Sequence, residues 1–168
     1  MPQQSHPDRT DRIDETDARL LLALTEQPRA STLALADRLK LSRNTVQARL
    51  AALDRRDVLD SYERRIKPAA IGYPLTAFIT TQVQQQQLDA VATALAGIPE
   101  VLQVHGISGP VDLLIHVVAT DADDLYRIAG QILAIRGVDR TSTALVMRQL
   151  VDYRIAPLVN RLTASHTP

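Results

Sequence analysis

Between Ser42 and Arg55 the chain collects Arg43, Asn44, Thr45, Gln47, Arg49 and Arg55, a concentration of guanidinium, amide and hydroxyl groups. Arginine and the side-chain amides carry paired donors and acceptors that match base edges in the major groove of double-stranded DNA. At about 100° per residue, Asn44, Ala48, Ala51 and Arg55 fall on one side of a helix, with Arg43 and Gln47 on one flank and Arg49 on the other. Ala48 and Ala51 are small enough to let the helix backbone approach the bases. Val46, Leu50 and Leu53 gather opposite them as an apolar stripe. An ordinary surface helix with a polar face has the same pattern, so the neighbouring elements must separate the two.

Upstream, Leu35, Ala36 and Leu39 recur at helical spacing, Lys40 and Leu41 make a tight turn, and Ser42 stands where an N-cap is wanted. Residues 31–59 therefore have the form of a helix-turn-helix. Before it, Asp14 can cap a helix in which Asp17, Leu20, Leu21 and Leu24 share a face and which ends before Pro28. The expected head is a three-helix unit over residues 14–60, preceded by a polar, flexible arm at 1–13. Val58 to Lys67 alternates loosely and is rich in charge, as a short strand or wing would be. Arg64, Arg65 and Lys67 could touch backbone phosphate there, although a solvated charged strand reads the same way.

Charge is distributed unevenly along a chain that is neutral overall, with 19 basic and 19 acidic residues. From Arg38 to Lys67 there are nine bases against Asp54, Asp57, Asp60 and Glu63. A local surplus at the reading helix and its exit is the footprint of phosphate contacts, and it favours the DNA interpretation over a plain surface helix. The surplus is moderate and suits a homodimer, whose two-fold symmetry would demand a palindromic operator.

Pro68 to Pro74, two prolines and a glycine around a few apolar residues, marks a linker, so that residues 61–74 form a wing and linker strand. Beyond it strand and helix patterns alternate. Leu75 to Val83 reads as a strand, Leu88 to Leu95 as a helix stopped by Gly97 and Pro99, and Val101 to Ile107 as a strand. A turn at Ser108, Gly109 and Pro110 leads to a strand over Asp112 to Val118, a helix over Asp121 to Ile135, and a last strand over Val138 to Met147. The order βαββαβ over residues 75–148 makes a four-stranded antiparallel sheet with both helices on one face, a ferredoxin-like domain in an α+β chain. The other face has no cover within one copy, and apolar residues on it would need another subunit. In the tail, residues 149–168, Leu150, Val151, Tyr153 and Ile155 could add a strand or pack on a partner, and the last six residues are expected to be disordered.

The chain has no cysteine, which removes disulfides and thiolate metal sites. The polar, proline-containing start lacks a signal-peptide core, and no run approaches the roughly 18 apolar residues of a membrane span, so a cytoplasmic protein with no membrane partner is expected. No Ser/His/Asp constellation, metal cluster or phosphate-binding glycine loop stands out, so no catalytic residue, metal or cofactor is assigned.

These residues carry a resemblance to the Lrp/AsnC, or feast/famine, transcriptional regulators. It rests on Ile13-Asp14, Asp17 and Leu20-Leu21; on Arg29, Ser31, Leu35-Ala36 and Leu39; and on Leu41-Ser42, Thr45-Val46 and Arg49. Further on it rests on Pro68 and Gly72, Pro99-Glu100-Val101, Gly109 with Asp112, and Gly137-Val138 with Thr141 and Thr143. One departure is Asp57, where the family usually has glycine. The resemblance implies a helix-turn-helix tethered to a ligand-sensing domain that dimerises through its sheet, assembles further, often to an octamer, and binds an amino-acid effector between dimers. The effector residues so implied are Ser108, Gly109, Pro110, Val111 and Asp112, with Thr141, Ser142 and Thr143 as hydroxyl donors nearby. Backbone amides around Gly109 could hold a carboxylate and Asp112 an α-amino group. Equally, Gly109-Pro110 could be only a hairpin turn and the threonines only strand formers. Sirohaem decarboxylases resemble the same architecture and would use histidines such as His105 and His116 beside a tetrapyrrole. A DNA-architectural protein without an effector is a further alternative.

Overall fold

The computed structural model describes residues 13–59 and 66–164, so Arg64, Arg65 and most of the expected wing lie outside the described residues. The described part divides into two units: residues 13–59 with 151–164, and residues 66–150.

Asp14 starts the first unit. Its carboxylate accepts from the Asp17 N–H at 2.7 Å, while Asp17 reaches back to the Asp14 N–H at 3.5 Å, a reciprocal cap for helix α1 (Glu15–Glu26). Ser31 caps α2 (Thr32–Leu39) through the Ala34 N–H at 3.1 Å, and Ser42 caps α3 (Arg43–Arg55) through the Thr45 N–H at 3.0 Å. Between α2 and α3, Lys40 takes the left-handed conformation at φ 58°. Asp57 does the same at φ 54° beyond α3. There the Val58 N–H donates to the Leu53 carbonyl at 3.0 Å, closing the helix with the turn that glycine usually serves. Asp supports this conformation better than most side chains because its short polar group can bond locally. Leu20, Ala23, Leu35, Ala36, Leu39, Val46 and Leu53 form the core of the three helices.

The tail departs from expectation. Residues 151–155 form no strand, and a further helix, α6 (Ala156–Ala164), packs on α1 with Val159 buried. Ile155 accepts from the Leu158 and Val159 N–H groups, and Pro157 sits in the first turn, where its missing N–H costs nothing.

In the second unit, a 3-10 turn at Pro68–Ile71 precedes β1 (Leu75–Val83), α4 (Leu88–Ala96), β2 (Val101–Gly106), β3 (Leu113–Ala119), α5 (Ala122–Leu133) and β4 (Val138–Leu145). The strands form one antiparallel sheet in the order β2-β3-β1-β4. This is the expected ferredoxin-like arrangement. Because strand side chains alternate, Ala77, Ile79 and Val83 on β1 and Leu113, Ile115, Val117 and Ala119 on β3 turn to one face. They pack against Val91 and Leu95 of α4 and Ile128 and Ile132 of α5. Phe78, Thr80, Gln82, His116, Arg140 and Ser142 turn to the other, helix-free face. The last strand stops at Leu145 rather than Met147, although the Val146 N–H still donates to the Thr76 carbonyl at 2.9 Å.

Candidate nucleic-acid interface and ligand pocket

Helix α3 turns Val46 and Leu53 into the core and leaves Arg43, Asn44, Gln47, Ala48, Ala51 and Arg55 exposed. The face assigned to base contact is thus open and free of bulky apolar groups. Ser42 and Thr45 begin it, their hydroxyls 2.8 Å apart, so both also serve the cap.

Arg49 behaves differently from the base-facing residues with which it was grouped. Its guanidinium donates to Asp14 at 2.6 Å and to Asp17 at 2.7 Å, and Arg56 approaches the other oxygen of Asp17 at 3.7 Å. Asp17 is only 6% exposed, so the pair replaces water around a buried carboxylate. Partial burial pushes the Asp14 carboxyl up, but the Arg49 hydrogen bond and the α1 backbone amides outweigh it and hold the group below its ordinary range. The hydrogen bonds to Asp14 and Asp17 likewise raise Arg49. This arginine ties the reading helix to the start of α1, a role invisible in the spacing of α3 alone.

In the sheet unit, the Ile107 N–H donates to the Asp112 carbonyl and the Asp112 N–H to the Thr81 carbonyl, both at 2.9 Å, closing the turn around Gly109. Gly109 has φ 133°, which side-chain-bearing residues rarely adopt. Beside this turn lies an open cavity of about 240 Å³ lined by Thr80, Gln82, Pro110, Val111, Arg140, Thr141 and Ser142. Four of the expected effector residues, Pro110, Val111, Thr141 and Ser142, therefore come together, and Ser108, Gly109, Asp112 and Thr143 are not in the lining. Thr143 pairs with Ile79 and shares its helix-covered side of the sheet. The Asp112 carboxylate is committed elsewhere: it accepts from the Val83 N–H at 2.9 Å and the Gln85 side-chain amide at 2.8 Å, bracing the end of β1. It is a poor partner for a ligand's amino group.

Thr80, Gln82 and Arg140 are lining residues that the sequence did not reveal. Thr80 stands opposite Ser142 and Gln82 opposite Arg140 across β1 and β4, so the missing signal was strand register. Gln82 donates to the Pro110 carbonyl at 2.7 Å, fixing the turn against β1.

His105 and His116 do share the helix-free face, since His105 pairs with Leu114 and His116 with Gln103. The His116 ring stacks on Phe78, centroids 4.9 Å apart. Burial, and then the neighbouring His105, push the His116 imidazole down. No group of three or more metal-ligating side chains occurs among the described residues, nor a helix long and apolar enough to cross a membrane.

Known proteins place both units. The family model of the AsnC-type helix-turn-helix domain matches residues 13–54, and that of the Lrp/AsnC ligand binding domain matches residues 76–156. The transcriptional regulator AldR of Mycolicibacterium smegmatis is 31% identical over 142 residues, 82% of this chain and 83% of AldR. The proline dehydrogenase transcriptional activator of Rhizobium radiobacter is 31% identical over 148 residues, 86% of this chain and 95% of that protein. Among solved structures, the feast or famine regulatory protein from M. tuberculosis complexed with L-methionine aligns with a TM-score of 0.78 at 29% identity, covering 86% of this chain and 98% of that one. With its exposed reading helix and its βαββαβ sheet unit both accounted for in this way, the chain belongs to the Lrp/AsnC family and is a DNA-binding transcriptional regulator, not an enzyme.

Proposed function

We propose that this regulator recognises a specific palindromic operator through α3 as a cytoplasmic homodimer that assembles further, toward an octamer, and that an amino acid bound at the turn-side cavity between dimers tunes its affinity for DNA. The observation that carries the DNA half is the exposed face of Asn44, Gln47, Ala48 and Ala51, set opposite the buried Val46 and Leu53. For the effector half, the support is the convergence of Pro110, Val111, Thr141 and Ser142 on one cavity, together with the L-methionine bound by the related M. tuberculosis protein. A ligand shifts an assembly or binding equilibrium only through differential affinity for its states, so binding must be linked to DNA affinity or oligomer size.

Two measurements test this. Asn44→Ala and Gln47→Ala should each cost about 1 to 3 kcal/mol on the operator and little on random DNA. Equal losses on both would remove base readout from α3, and a footprint spread evenly over DNA would indicate an architectural protein instead. A thermal-shift screen of the twenty amino acids should reveal at least one that raises the melting temperature, because a ligand binding only the native state stabilises it.

A further inference from the structure

We infer that the cavity recognises its ligand by the carboxylate, through Arg140, and makes no charged contact with an α-amino group. The inference deepens the effector reading above and rests on it. Among the lining residues Arg140 carries the one charge, and the others are hydroxyl, amide or apolar: Thr80, Gln82, Pro110, Val111, Thr141 and Ser142. Arg140 stands at a register shift, with Gln82 opposite Arg140 but Val83 opposite Val138. Among the described residues the guanidinium has no hydrogen-bond or ion-pair partner, although Asp139 adjoins it in sequence and Asp112 lies at the turn. Both are already engaged: Asp139 accepts from the Gln84 amide at 3.0 Å, and Asp112 from Val83 and Gln85. A planar guanidinium can take a carboxylate through two parallel hydrogen bonds, roughly twice as strong as neutral ones. Gln82 spends its side-chain N–H on the Pro110 carbonyl. The side chains that this copy leaves to face an ammonium are therefore neutral, and a ligand's amine gains little over water from them.

The chemical class this selects is the α-substituted carboxylate, whether the substituent is an amine or a carbonyl. An amino acid and its 2-oxo acid should bind about equally, and the matching amine should not bind.

The test is calorimetry on the full-length protein with the twenty L-amino acids, the 2-oxo acid of each one that binds, pyruvate, 4-methyl-2-oxopentanoate and 2-oxoglutarate, and the amines ethylamine and 3-methylbutylamine. Expected are dissociation constants within about threefold for an amino acid and its 2-oxo acid, no heat from the amines, and weakening of both acids by tenfold or more in Arg140→Gln, a loss of about 1.4 kcal/mol. Arg140→Lys, which keeps the charge but loses the planar fork, should recover part of the affinity. The melting temperature without ligand shows that each variant is folded. An amino acid that binds while its 2-oxo acid does not, or unchanged binding by Arg140→Gln, overturns the carboxylate assignment and leaves the amino-acid reading standing. Failure of every acid to bind overturns both.

Discussion

At the scale of single residues, types and spacing were legible wherever one helix decided the outcome, and illegible where a second element did. Asn44, Gln47 and Arg55 are exposed because α3 buries Val46 and Leu53, a consequence of helical period alone. Arg49 obeys the same period, yet its partners are Asp14 and Asp17, more than thirty residues away, and only the packing of α1 on α3 brings them within reach. Arg49→Ala should therefore lower head stability by about 2 kcal/mol, since it leaves the buried Asp17 with only the longer Arg56 contact and the long hydrogen bond from the Asp14 N–H. The slope of log affinity against log salt should stay as in the wild type, whereas Arg43→Ala or Arg55→Ala should flatten it by about one unit per lost phosphate contact without touching stability. A flatter slope for Arg49→Ala would return this residue to the DNA surface. His116 gives a pH-dependent counterpart. Its folded imidazole titrates below the ordinary value of about 6.5, so the unfolded chain binds the proton first as pH falls. The stability due to this residue is complete above that ordinary value and declines as the pH drops from there through the lower folded pKa. Melting curves over that window should be flatter for His116→Gln than for the wild type.

At the scale of elements, the strands and helices of the sheet unit were legible because each carries a clean period bounded by glycine or proline. The expected Leu75–Val83 strand is the observed one, and α4 runs one residue past its expected end. Helix α6 escaped notice because it is short and the strand-like Val151, Tyr153 and Ile155 come just before it. Pro157 in the first turn, with Leu158 and Leu162 one helical turn apart, was the available signal. The loop between α5 and β4 shows how one residue holds two elements together. Gly137 has φ 96°, and a Cβ there would meet the Gln87 Cβ at 2.6 Å and the Val91 Cγ2 at 3.3 Å, atoms at the start of and within α4. Gly109 has an equally unfavourable φ for other residues but open space around it. Both Gly→Ala substitutions incur the backbone strain of about 1 to 2 kcal/mol, and only Gly137→Ala adds a clash with backbone-proximal atoms of α4. Thermal denaturation should rank Gly137→Ala well below Gly109→Ala, and equal melting temperatures would show that α4 can move aside at no cost.

At the scale of the whole molecule, what one copy leaves open decides how many copies are needed. Even with α6 packed on α1, a head of about 60 residues buries little apolar surface by itself, and domains of such size are marginal. The sheet covers one face with α4 and α5, while the other presents Phe78, 36% exposed, stacked on His116 and standing opposite Ala144 of β4. Burying a large aromatic or aliphatic side chain is worth about 1.5 to 3 kcal/mol, so a second copy laid on this face would recover stabilisation that the single chain lacks. Light scattering should consequently show no folded species of 18.5 kDa at micromolar concentration. Phe78→Lys places a charge in the centre of that face and should weaken the dimer while the head stays folded. The DNA consequence follows from symmetry. A two-fold protein reads two half-sites about one helical turn apart, and loss of the dimer should lower operator affinity far more than affinity for a single half-site. A Phe78→Lys protein that remains dimeric, or a wild-type chain that is monomeric and folded, would move the interface off the sheet and remove the requirement for a palindrome.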